Sequence, residues 1–109
     1  MTEAALQRAR AMVERFPDRA PPHFSLARAL HDLGRFDEAQ QAYARAAELQ
    51  PDLMMAWLHR GECLLELQRA EEARSCAEQA RALARSQGHS GPLGEAEELL
   101  ELVADFLDS

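Results

Sequence analysis

Residues 57–64 read WLHRGECL, and residues 23–30, 34 positions upstream, read HFSLARAL. Leu64 answers to Leu30 and the small Gly61 to the small Ala27. The match runs on past this stretch, since Leu33/Leu67, Arg35/Arg69, Glu38/Glu72, Ala39/Ala73 and Ala46/Ala80 keep the same offset of 34. The chain is therefore a tandem repeat. Each unit of such an array buries its apolar face only against its neighbours, so the period dictates the architecture. One period further back, Ala39, Gln41 and Pro51-Asp52 fall on Ala5, Gln7 and Pro17-Asp18. We read the 109 residues as one domain: a half repeat (2–19), two whole repeats (20–53 and 54–87) and a tail (88–109).

Composition points to helices. Apolar residues make up 47%, mostly Ala and Leu, and the β-branched residues are only Val13, Val103 and Thr2. Strand propensity is nearly absent, so the expected class is all-α. All 12 basic residues are Arg, and Lys, Ile and Asn are missing altogether. Those three have AT-rich codons, which suggests a GC-rich, bacterial genome. No run approaches the 18 or so apolar residues of a membrane span, and Met1-Thr2-Glu3 lacks the start of a secretory signal. A cytoplasmic location is expected, with Cys63 and Cys76 serving as reduced, small packing residues.

The residues that recur, Trp57, Gly61, Leu64, Ala73 and Ala80 with Tyr43, Pro17 and Pro51, resemble the tetratricopeptide repeat, a helix-turn-helix unit of about 34 residues. The resemblance covers roughly residues 1–87. It implies a right-handed superhelix of antiparallel helix pairs, with the first helix of each pair lining a concave face. The shared residues have physical reasons. Ala27 and Gly61 face Ala39 and Ala73 so that paired axes approach closely, while Leu26, Leu30, Tyr43 and Leu64 fill the space on either side. Departures are His23 for the aromatic residue, Arg60 for a leucine, Ala77 for an aromatic and Arg85 for a proline. Some relatives clamp a peptide's terminal carboxylate with lysines and asparagines, residue types this chain lacks, so recognition of that kind is not expected.

Punctuation and period predict six helices: about 3–16, Pro21 to Leu33, 37–49, 53–67, 70–86 and 93–107. Pro17 and Pro51 stop a helix, and Pro21-Pro22 suit a first turn. Gly34 suits a left-handed cap, and Asp37 with Gln40 form a capping-box-like start. The Gln68-Arg69 turn lacks the equivalent glycine. Gly88-His89-Ser90-Gly91-Pro92 breaks the pattern, after which Ala96, Leu99, Leu100, Val103, Phe106 and Leu107 give an amphipathic helix.

That helix carries the charge. Residues 89–109 hold Glu95, Glu97, Glu98, Glu101, Asp105 and Asp108 with no Arg, whereas residues 1–88 are nearly neutral within a total of −7. We expect a helix that caps the array. The alternative is an acidic segment that docks on a basic partner or folds back into the groove. The net charge argues against nucleic acid, whose backbone attracts cations.

Catalytic patterns are missing: no glycine-rich phosphate loop, nucleophile elbow, metal-spaced histidine pair or Cys-x2-Cys. The chain is expected to be no enzyme and to hold neither metal nor cofactor. The resemblance implies instead that groove positions carry function: Phe24, Arg28 and His31 in one repeat, and Met55, Leu58, His59, Glu62 and Leu65 in the next. Phe24, Met55, Leu58 and Leu65 would anchor a peptide or helix of another protein, and Arg28 would engage an acidic group. The alternatives are a homo-oligomer, such as a homodimer built on the groove or the exposed repeat end, or an accessory domain of a larger assembly.

Overall fold

In the computed structural model, which describes residues 3–109, the offset of 34 residues becomes a stack of helices. They are α1 (Glu3–Arg15), α2 (Ala20–Asp32), α3 (Phe36–Leu49), α4 (Met54–Glu66), α5 (Ala70–Gln87) and α6 (Ser90–Asp108). No strand occurs among the described residues, and Thr2, where the half repeat was read to begin, lies outside them. Helices α2 and α3 form one hairpin and α4 and α5 the next, while α3 against α4 joins the two. Helix α1 packs on α2, and α6 closes the other end by packing on α5 and reaching α4.

Small side chains set the spacing. Ala27, Ala39 and Ala73 are fully buried. A Cβ on Gly61 would stand 2.9 Å from Leu99 Cδ2 and 3.3 Å from the Ala73 carbonyl oxygen. At this point α5 and α6 both press on α4, and only a residue without a side chain fits unaltered. Tyr43, Leu6, Leu30 and Cys63 fill one core between α1, α2, α3 and α4. Leu58, Leu64, Ala77, Ala96, Leu99 and Val103 fill another between α4, α5 and α6.

The turns repeat as faithfully as the core. Gly34 has φ 75° and, one period on, Gln68 has φ 62°. In each turn the next backbone N–H closes the helix end, Arg35 onto the Leu30 carbonyl at 2.9 Å and Arg69 onto that of Leu64 at 2.8 Å. The turn survives without its glycine, at the cost of a left-handed backbone on a residue with a Cβ.

Two expectations are corrected. Helix α3 starts at Phe36 with Arg35 before it, so Asp37 lies inside the first turn. There it accepts from Gln40 at 3.2 Å, and Arg35 binds Glu38 through two hydrogen bonds of 2.9 and 3.1 Å. Arg69 holds Glu72 the same way. Helix α6 starts at Ser90, not near residue 93. Gly88 (φ 72°) ends α5, and Gly91-Pro92 enter the first turn of α6, where backbone N–H groups need no helical partner.

Both cysteines are buried free thiols, one on each helix of the α4/α5 hairpin. Burial pushes the Cys63 thiol up to about 12 and raises Cys76 as well.

Candidate functional site

Helices α2 and α4 meet along a seam floored by Tyr43 of α3. The Phe24 ring stands edge-on to Tyr43 at 5.6 Å and tilted to His59 at 6.2 Å. His31 lies 5.9 Å from both Tyr43 and His59, and 5.8 Å from Phe36. Tyr43 and His59 are 5.7 Å apart. Edge-on and tilted contacts suit ring quadrupoles.

Polar contacts fix its orientation. His31 Nδ1 shares a 3.1 Å hydrogen bond with the Tyr43 hydroxyl. His59 Nδ1 lies 2.5 Å from Glu62 Oε1, and the carboxylate can only accept. Burial lowers the His31 pKa below 6.5, Glu62 opposes the shift and His59 reinforces it. Burial likewise raises the Tyr43 hydroxyl, which stays neutral.

The residues singled out by sequence separate into three groups. Phe24, His31, His59 and Glu62 gather around Tyr43, half-buried and partly open to solvent. Arg28 is exposed on α2 close enough to influence His31 and Tyr43, and forms no ion pair among the described residues. Met55 and Leu65 are half-buried against the α4/α5/α6 core. Leu58 is corrected: it is 1% exposed and part of that core, so it is not available to a partner. Helix α4 has neighbours on three sides, which leaves little of its circumference free.

Tyr43 and Phe36 were missed as members of the site. The period marked Tyr43 as a bulky filler, and nothing in the spacing showed that its hydroxyl reaches α2. Among the described residues no group of three or more His, Cys, Asp or Glu side chains is placed to hold a metal ion. No described helix is long and apolar enough to cross a membrane.

Comparison with known proteins places this geometry. A family model described as tetratricopeptide repeat matches residues 2–52 and again 24–90. The chain resembles the crystal structure of PcrH in complex with the chaperone binding region of PopD, with 27% identity and a TM-score of 0.90 over 94% of this chain and 78% of that one. A T3SS complex from Aeromonas hydrophila matches at 25% identity and a TM-score of 0.93, covering 97% of this chain and 71% of its counterpart. The type III secretion translocator chaperone SycD of Yersinia enterocolitica shares the fold at 19% identity and a TM-score of 0.92, over 98% and 74% of the two chains. No curated protein matches the sequence.

Proposed function

Because the chain belongs to the tetratricopeptide repeat family, we propose that it is a protein-interaction module without catalytic chemistry, holding a short segment of another protein along the α2/α4 seam. The observation that carries this reading is the exposed Arg28, without an ion pair among the described residues, beside the half-open rings of Phe24, His31 and His59. The similar PcrH structure contains a chaperone binding region of its partner PopD, which supports a chaperone-like holding role here. The segment would seat apolar side chains against Phe24, Met55 and Leu65, and place a carboxylate on Arg28. His31, His59 and Glu62 would supply the polar contacts that set its direction.

A peptide library displayed on phage and selected against the full chain tests this. It should enrich sequences that combine apolar anchors with an acidic residue. Arg28→Glu should weaken the selected peptides at least about tenfold while leaving helix content and melting unchanged, and Met55→Glu should weaken them as much. Enriched peptides that bind both variants as well as the parent would overturn the assignment of the seam.

A further inference from the structure

Helices α1 and α2 enclose a trough of about 380 Å³, lined by Ala9, Met12, Pro21, Pro22 and Ala29. It continues past Phe16. Met12 is 45% exposed there, one of four large apolar side chains left exposed among the described residues. The charged groups lining the trough are Arg8 and Arg19, and neither forms an ion pair among the described residues.

The period says what the trough is for. Shifted by 34 positions, Ala9, Ser25 and Ala29, which all line it, become Tyr43, His59 and Cys63. Inside the array helix α2 packs against those three: the Phe24 ring contacts those of Tyr43 and His59, and Cys63 shares a core with Ala27 and Leu30. The trough is thus the same seat one period earlier, and it fits an amphipathic helix.

Helix α6 has the matching surface. Ala96, Leu99 and Val103 bury one stripe of it against the core of α4 and α5, but Leu102 is 57% and Phe106 41% exposed. At 100° per residue Leu102 and Phe106 stand together on the flank of the buried stripe, bordered by Glu98 and Asp105. Among the described residues the acids of α6 make one ion pair, Arg85 with Glu97 at 3.8 Å. Helix α6 sits on α5 as α4 sits on α3, so it is a first helix lacking its second, and α1 is a second helix lacking its first.

We propose that α6 of one copy seats Leu102 and Phe106 in the α1/α2 trough of a second copy, with Glu98 and Asp105 meeting Arg8 and Arg19. The contact joins a head to a tail. Because the two surfaces differ, each addition leaves one of each free, and the assembly grows rather than closing at a dimer. It uses none of the seam residues Phe24, Arg28 or Met55, so it stands independently of the partner reading above.

Sedimentation of the full chain at rising concentration tests it. The parent should pass beyond dimer mass, and higher salt or Arg8→Glu should weaken association, the variant by roughly tenfold. Met12→Glu and Phe106→Glu should each sediment as monomers with parental helix content and melting. Mixed in equal amounts they should form a heterodimer and nothing larger, since one sound trough and one sound helix remain. A parent that stays monomeric, a single variant that still assembles, or a mixture that stays monomeric would overturn the proposal. A monomeric parent whose trough takes an acidic amphipathic peptide would assign the seat to another protein instead, and overturn it equally.

Discussion

His23 and Trp57 make the same hydrogen bond one period apart. The His23 imidazole donates from Nε2 to the Pro17 carbonyl at 2.7 Å, and the Trp57 indole donates from Nε1 to the Pro51 carbonyl at 3.0 Å. A carbonyl only accepts, so the imidazole proton must sit on Nε2. The substitution that looked like a departure in the sequence keeps the one polar contact that ties the start of each first helix to the preceding turn. His23→Phe and Trp57→Phe should therefore each cost about 1 kcal/mol in urea unfolding, with unchanged slope. A neutral His23→Phe would show that the bond contributes nothing.

The left-handed backbone at Gln68 predicts a stabilising change. Gln68→Gly should raise stability by about 1 kcal/mol, because glycine adopts φ 62° without a clashing Cβ. Gly34→Ala at φ 75° should lose a similar amount, and equal melting of both variants and parent would contradict this.

Gly61 and Gly94 should respond in opposite senses. Gly61→Leu should cost about 2–3 kcal/mol, since a Cβ already meets Leu99 and the backbone of Ala73. Gly94→Ala lies within α6 with nothing near its Cβ and should gain about 1 kcal/mol from helix propensity. Thermal melting of the two variants separates close approach from mere conformational freedom.

Acid should weaken the fold through His31. Burial keeps its folded pKa below 6.5, with His59 and Arg28 reinforcing and Glu62 and Asp32 opposing, so the unfolded chain binds this proton more readily. The resulting stability is present above 6.5 and lost as pH falls from 6.5 toward the folded value. The urea midpoint should drop as pH falls below 6.5, and His31→Gln should flatten that part of the profile. An unchanged slope in His31→Gln would assign the loss to other groups.

The fold was legible because its determinants are local and periodic: Ala27, Gly61, Ala39 and Ala73 sit at fixed offsets, and proline or glycine marks most turns. What escaped depends on context. Gly91-Pro92 reads as a break, yet a first helical turn tolerates both residues. Asp37 reads as a cap, but the Arg35–Glu38 pair two residues earlier organises that end. In the site, Leu58 and His59 are adjacent in sequence and equally able to face a partner on paper. Only the arrangement of α3, α5 and α6 around α4 decides that Leu58 is enclosed and His59 half-open. The hydroxyl of Tyr43 reaches His31 through the fold, and no spacing rule encodes that contact.

The two enclosed thiols make the chain its own reporter. Cys63 faces the core shared with α2 and α3 and Cys76 the core shared with α6, both protonated and out of reach of an alkylating probe while those cores stay packed. Their labelling rates then count openings of the two cores separately, with no engineered tag to disturb them. Slower labelling of either thiol on addition of a ligand would reveal which of the two cores its binding clamps.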